Sequence, residues 1–139
     1  MKRFVMVIGA LVLSAAADGA VAAGENLLIN GIFDAEQVDF PQFWSATPSR
    51  SVVYHRTGGP DGGKPAVALV GGADRSGTVS LRQQGLTLVE GETYKRSAYV
   101  KTKGFSSRHA GVIVHNSGWA TDTGFKSLPA DSEWTFMER

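Results

Sequence analysis

The chain has 139 residues and no cysteine, and its charge is nearly balanced, with 14 Lys and Arg against 13 Asp and Glu. The absence of cysteine excludes a disulfide framework, a thiolate metal site and a cysteine nucleophile. The near-neutral charge lacks the basic footprint on which nucleic-acid binding depends, so no nucleic-acid partner is expected.

The first twenty-three residues have the pattern of a secretory signal peptide. Residues 1–3 (Met-Lys-Arg) are positively charged, residues 4–17 form an almost unbroken apolar run, and residues 20–22 (Ala-Val-Ala) offer small side chains for cleavage. The apolar run is too short to span a bilayer, which favours a cleaved leader over a membrane anchor. We therefore expect a secreted or periplasmic product with no membrane partner, whose mature part, residues 24–139, has the length of one domain.

The mature part shows short strand candidates separated by turns. They are residues 26–29, 52–55, 65–70, 79–82, 94–101, 109–116 and 133–137. Turn signals bound them, among them Asn30-Gly31 and the glycine-rich residues 57–63. Helical periodicity is absent beyond the leader. The pattern predicts an all-β sandwich or barrel.

Two candidates alternate clearly enough to assign their faces. In residues 94–101, Ala98 and Val100 fall on an apolar face, and Tyr99 falls on the opposite, polar face. In residues 109–116 the alternation places in the core Ala110, Val112 and Val114. Tyr99 is therefore predicted to be an aromatic side chain on an outward face.

The chain stops just after the last strand candidate, without a polar tail. Residues 133–137 look like the start of a strand, yet only Glu138 and Arg139 follow. A two-sheet sandwich that ended here would leave neighbouring strands unpaired. We therefore expect a domain that is truncated at its C-terminus.

Several motifs in order resemble one family of sugar-binding domains. Residues 26–34 (Asn-Leu-Leu-Ile-Asn-Gly-Ile-Phe-Asp), followed by Trp44, resemble the opening of CenC-like carbohydrate-binding modules, the cellulose- and xylan-binding type of families 4, 9 and 22. Residues 63–69 match the next family element loosely, and Gln84 precedes the turn at residues 91–94 with the family spacing. The family strand motif then matches Tyr94, Ser97, Val100 and Lys101.

This resemblance, which covers about residues 26–136, implies a galactose-binding-like jelly-roll β-sandwich over residues 24–139. Such modules hold a polysaccharide along a groove on one sheet and are usually appended to secreted glycoside hydrolases. The resemblance also implies a structural calcium, with Asp34 as the best single ligand. Glu36 and Asp39 stand nearby in sequence, and carboxylates suit calcium, although solvated loop acids are an equally good interpretation.

A sugar site needs aromatic faces for the apolar side of a pyranose ring and polar groups for its hydroxyls. The candidate side chains are Tyr99, Trp119, Arg82, Gln84 and His115. Their alternative is an ordinary solvated strand surface, or the core in the case of Trp119. Trp44 and Trp134 are assigned to the core, because large aromatic side chains are mostly buried.

Three functions remain open at this point. The first is a secreted, non-catalytic carbohydrate-binding module, attached to or derived from a glycoside hydrolase, with a polysaccharide or oligosaccharide as its partner. The second is a structural or adhesion sandwich of an exported protein. The third is a small enzyme, for which the sequence offers no nucleophile-elbow or zinc-protease motif and no evident carboxyl pair. The sequence indicates no oligomeric state.

Overall fold

The computed structural model describes residues 4–15, 26–34, 43–47, 51–71, 79–104 and 128–139. Within these ranges the elements are the strands β1 (Phe4–Ala15), β2 (Ser45–Thr47), β3 (Val52–His55), β4 (Ala66–Gly71), β5 (Ser80–Arg82), β6 (Tyr94–Lys103) and β7 (Ser132–Glu138). The prediction of an all-β chain is confirmed for this part of the molecule. The same ranges contain no helix long and apolar enough to cross a bilayer.

The strands form two antiparallel sheets. The large sheet has the order β3-β4-β1-β6-β7, and the small sheet pairs β2 with β5. β1 is the central strand of the large sheet, with Ile8 opposite Val67 of β4 on one side and Val100 of β6 on the other. Because β3 and β7 close the two edges, β4, β1 and β6 are paired along both sides.

The core lies on one face of the large sheet, here called the inner face. Its buried cluster comprises Met6, Ile8, Phe33, Val52, Val67, Leu69, Ala98 and Val100. Ala46 of β2 and Leu81 of β5 pack against this cluster, so the small sheet lies over part of the inner face. The arrangement is a two-layer sandwich, in which each sheet hides its apolar face from water.

The predicted leader contributes the central strand. Residues 4–15 belong to β1, and the side chains of Met6 and Ile8 are buried in the core. A run rich in valine, leucine and isoleucine suits a strand that is paired on both sides, because such a strand has little contact with water. The apolar composition that indicates a signal peptide therefore also favours a central strand. Cleavage of this segment stays a prediction.

The first strand candidate of the mature part is wrong. Residues 26–29 lead into a turn rather than a strand, and Asn30 and Phe33 both have positive φ, at 54° and 59°. The Asn30 side chain closes this turn, because its Oδ1 accepts from the Asp34 N–H and its Nδ2 donates to the Asp34 carbonyl, both at 2.7 Å. This local bonding satisfies backbone groups that a strand would have to pair elsewhere.

The remaining described strands agree well with the alternating patterns. Strands β3, β4, β5, β6 and β7 fall on five of the predicted segments. Strand β2 is new, since three residues are too few to show an alternation. The candidate at residues 109–116, with Ala110, Val112 and Val114, lies outside the described residues.

Candidate functional site

Tyr99 lies on the face of the large sheet that points away from the core, here called the outer face. Along β6, the exposed fraction is 1% for Ala98 and 2% for Val100, but 38% for Tyr99 between them. The period-two geometry of a strand produces this contrast, because neighbouring side chains point to opposite faces. The predicted outward orientation of Tyr99 is confirmed.

Tyr99 does not stand alone on the outer face. Phe136 of β7 is its partner in the register, and the two ring centroids lie 5.0 Å apart at an interplanar angle of 51°. A tilted pair at this distance is a favourable aromatic geometry. Phe136 is 51% exposed, so the pair presents a two-ring apolar surface to solvent.

Charged pairs flank these two rings on the same pair of strands. Lys95 Nζ lies 3.0 Å from a carboxylate oxygen of Glu138, and Lys101 Nζ lies 2.6 Å from one of Glu133. All four side chains remain substantially exposed, and exposed pairs of this kind contribute about 0–1 kcal/mol. The lysines therefore remain able to exchange these partners for other acceptors.

A cleft of about 240 Å³ opens on the outer face, and it spans the large sheet. It is lined by His55, Thr57, Gly58, Ala66, Lys101 and Trp134. These residues come from β3, β4, β6, β7 and the loop after β3. Trp134 supplies an aromatic wall, and the hydroxyl, imidazole and ammonium groups of the lining can donate hydrogen bonds.

Gly9 in the central strand β1 lets Pro60 and Trp134 pack closely on the sheet. A Cβ at Gly9 would overlap the Cδ of Pro60, would lie 2.9 Å from its Cγ, and would lie 3.3 Å from the ring carbon Cζ3 of Trp134. The absence of a side chain at Gly9 therefore allows Pro60 and Trp134 to pack directly on β1. The register between β1 and β6 shifts next to this point, between Ile8 and Leu11.

The loop that carries Thr57, Gly58 and Pro60 is held by its own hydrogen bonds. The Gly59 N–H donates to the Lys64 carbonyl at 2.9 Å, and the Gly62 N–H donates to the Gly59 carbonyl at 2.9 Å. At its exposed tip, the hydrogen bond from the Lys64 side chain lowers the pKa of Asp61 from its ordinary value. This bonding fixes one rim of the cleft.

Trp134 is not in the core, which corrects the sequence prediction. It is half-buried and lines the cleft on the outer face, whereas Met137 of the same strand packs against the core cluster. The strand period explains the difference, because Trp134 and Phe136 fall on one face of β7 and Met137 on the other. Trp44, in contrast, packs against the core, with its ring centroid 5.2 Å from that of Phe33.

Arg82 and Gln84 lie at a different place from Tyr99. Leu81 packs against the core from the small sheet, and Arg82, its neighbour on β5, is exposed and donates from Nη2 to Thr47 Oγ1 at 3.1 Å. Gln84 is also exposed. Since the core separates the two sheets, the structure does not bring Arg82 to the surface that holds Tyr99.

Gln83, which is not among the predicted site residues, makes a specific contact. Its Nε2 donates to the Ile29 carbonyl at 2.6 Å, and its Oε1 accepts from the Ile29 N–H at 2.8 Å. This amide therefore ties the segment before the Asn30 turn to the segment after β5. A glutamine that matches both backbone groups of a distant residue leaves no local sequence signal.

The structure describes only some of the other predicted site residues. Trp119 and His115 lie outside the described residues, as do Glu36 and Asp39. Asp34 is exposed, at the end of the turn closed by Asn30. In the described part of the chain, no three His, Cys, Asp or Glu side chains come together as a group that could hold a metal ion.

The residues that the structure adds to Tyr99 are Phe136, Trp134, His55 and Lys101. Each belongs to a predicted strand, and the parity of β7 already distinguishes Trp134 and Phe136 from Met137. The sequence does not show that β7 is the paired neighbour of β6. Among the described residues, the cleft lining combines an aromatic ring with hydrogen-bond donors, which is a composition typical of ligand-binding sites.

Comparison with protein-family models finds no match to this chain, and neither does comparison with curated proteins or with solved structures.

Proposed function

We propose that this chain is a secreted, non-catalytic carbohydrate-binding module that holds a polysaccharide on the outer face of its large sheet. The observation that carries the proposal is the exposed Tyr99–Phe136 ring pair, which β6 and β7 present on the same face as the cleft beside Trp134. Aromatic rings are costly to leave in water, whereas the C–H face of a sugar ring covers them well.

The dimensions support an open, extended contact rather than an enclosed pocket. The cleft of about 240 Å³ is smaller than the roughly 300–1,000 Å³ typical of sites that enclose a small molecule. It suits one sugar unit or a branch, stacked on Trp134. Neighbouring units of the same glycan would then cross the rings of Tyr99 and Phe136.

The polar groups around the rings fit neutral hydroxyls. His55, Thr57 and Lys101 line the cleft and can donate hydrogen bonds to sugar oxygens. The lysines beside the rings are already paired with Glu133 and Glu138, so glycan binding adds few new ionic contacts. We therefore expect weak binding that changes little with ionic strength.

Three finer assignments belong to the same proposal. The fold is assigned to the galactose-binding-like jelly-roll type, and the module is assigned as derived from or attached to a glycoside hydrolase. A structural calcium is assigned to the loop after Phe33, with Asp34 as one ligand. Asn30 fixes the Asp34 backbone, which holds this residue at a defined place in the loop.

Affinity electrophoresis of the full chain through gels containing soluble polysaccharides tests the proposal. We expect retardation by at least one β-linked glycan, and about tenfold weaker retardation for Phe136→Ala or Trp134→Ala, as the loss of one stacking contact predicts. Phe43→Ala is the matched control, because Phe43 is also exposed, at 63%, but belongs to neither β6 nor β7. Equal losses for Phe43→Ala and Phe136→Ala would contradict the proposed surface.

The alternative function is a structural or adhesion domain that uses the same surface against another protein domain. The observation that favours it is the exposure of Val53, Tyr99 and Phe136, which all lie on the outer face. This alternative predicts no retardation by any glycan in the panel. It also predicts self-association or domain binding in sedimentation experiments that Phe136→Ala abolishes.

A further inference from the structure

Residues 4–15 carry two incompatible sets of features. The sequence around them predicts an export leader, with positive residues before the apolar run and small residues 20–22 after it. The structure makes the same residues the central strand of the large sheet, where Phe4 to Ile8 pair with β4 and Val5 to Ala15 pair with β6. A leader has to be accessible to the export and cleavage machinery, whereas residues 5–8 are paired on both edges and residues 11–15 are paired on the edge that faces β6.

The strand is an integral part of the sandwich. Met6 and Ile8 are buried and belong to the same cluster as Val67 and Val100 on the flanking strands. Removing β1 would leave β4 and β6 facing each other across two strand spacings, about 9–10 Å. Both strands would then lose the hydrogen bonds that they now make with β1, and the core would lose the side chains of Met6 and Ile8.

The position of Gly9 in β1 has no room for a side chain. Pro60 and Trp134 lie against the backbone of Gly9, and a methyl group at this position would overlap Pro60. A leader needs only an apolar residue here, and alanine would serve it as well as glycine. The requirement for glycine therefore comes from the folded sheet and not from the leader pattern.

We propose that folding and export compete for residues 4–15. In the folded chain, β4 pairs with residues 4–8 and β6 pairs with β1 as far as Ala15, and this pairing withholds the segment from signal peptidase. Export requires that the chain reach the membrane before the large sheet closes. The proposal depends on the predicted leader and on the observed sheet, and it is independent of carbohydrate binding.

Cleavage by purified signal peptidase in detergent micelles, followed by mass spectrometry, tests this competition. The substrates are the folded full chain and a peptide of residues 1–30, which has the leader but not the strands that pair with it. We expect the folded chain to be cut at least tenfold more slowly than the peptide. Hydrogen exchange on the full chain should show protected amides in residues 5–8.

A pair of substitutions distinguishes the effect of strand docking on cleavage from the effect of the leader sequence on cleavage. Gly9→Ala keeps the run apolar but introduces the overlap with Pro60, so it should speed cleavage of the folded chain and remove the amide protection. Pro60→Gly removes the overlapping atoms, and the double variant should return both values toward wild type. Ala17→Val, which enlarges the same run beyond the end of β1, is the control and should leave cleavage slow.

Three outcomes would overturn the proposal. Equal cleavage rates for the folded chain and the peptide would show that the sheet does not withhold the leader. Failure of Pro60→Gly to reverse the effect of Gly9→Ala would show that the strand does not dock as described. A peptide that is not cut at all would remove the leader assignment on which the competition rests.

Discussion

The two faces of the large sheet share one backbone but have different side chains. On β6 and β7 the inner face carries Ala98, Val100 and Met137, which are buried in the core or packed against it. The outer face of the same strands carries Tyr99 and Phe136, which remain exposed and pack on each other. The difference teaches that burial accounts for the inner residues but not for the exposed aromatic residues, to which we assign the proposed binding surface.

The test with the largest expected effect replaces a phenylalanine by alanine once in the core and once on the outer face. Phe33→Ala removes a fully buried ring and should lower the free energy of unfolding by about 3–5 kcal/mol. Phe136→Ala removes a half-exposed ring and should lower it by less than about 1.5 kcal/mol. Urea unfolding of both variants measures the values. Similar losses would show that the outer face is part of the stabilising core.

The link made by Gln83 gives the next largest expected effect. Gln83→Ala leaves two backbone groups of Ile29 without their side-chain partner, so stability should fall by about 1–2 kcal/mol. Gln84→Ala is the matched control on the neighbouring, exposed side chain and should change stability by less than about 0.5 kcal/mol. The midpoint of urea unfolding checks both variants. A larger effect at Gln84 would contradict the assignment.

A double-mutant cycle measures how much the outer ring pair contributes to stability. Tyr99→Ala and Phe136→Ala, alone and together, should show a coupling free energy of about 0.5–1.5 kcal/mol, as expected for a tilted ring pair 5.0 Å apart. Urea unfolding of the four proteins gives this value. A coupling of zero would mean that the two rings do not contact each other in solution.

The smallest expected effect concerns the loop at the rim of the cleft. The Lys64 side chain lowers the pKa of Asp61, mainly through a hydrogen bond, so Lys64→Met should raise this pKa toward its ordinary value. The pH dependence follows from this direction. The lowered pKa of the Asp61 carboxyl stabilises the folded state at pH values above the pKa that this carboxyl has in the unfolded chain. This contribution is lost as the pH falls through the pKa that it has in the folded chain.

NMR titration of the Asp61 carboxyl checks the shift, with Lys64→Arg as the control that keeps the charge. Asp61 is fully exposed, so the change in unfolding free energy should be within the error of the measurement. An Asp61 pKa that does not rise in Lys64→Met would contradict the pairing. A large loss of stability in Lys64→Met would instead give the loop a role in the core.

Much of the sheet could be predicted from the sequence because each strand carries its own alternation. The outward position of Tyr99 follows from Ala98 and Val100 alone, and the turn at Glu90-Gly91 follows from its glycine, which has a φ of 85°. The failure at residues 26–29 has a local cause, because the Asn30 side chain bonds to Asp34 and competes with strand pairing.

The candidate site was predictable only in part, because it depends on which strands are neighbours. Residue type groups Arg82 and Gln84 with Tyr99, but Arg82 lies on the small sheet, across the core from Tyr99. Trp134 was assigned to the core by its size, although its parity with Phe136 points to the outer face. The place of residues 4–15 in the centre of the sheet was also hidden, since an apolar run suits a leader and a central strand equally.

The sequence by itself determined the all-β class, the positions of most described strands and the face on which Tyr99 lies, because these depend on a two-residue period within one segment. Only the tertiary structure decided that β6 pairs with β7, that Trp134 closes a cleft with His55 and Lys101, and that the first apolar run fills the middle of the sheet. Those outcomes depend on long-range strand pairing, and pairing partners are chosen by the fit of whole faces rather than by any local pattern.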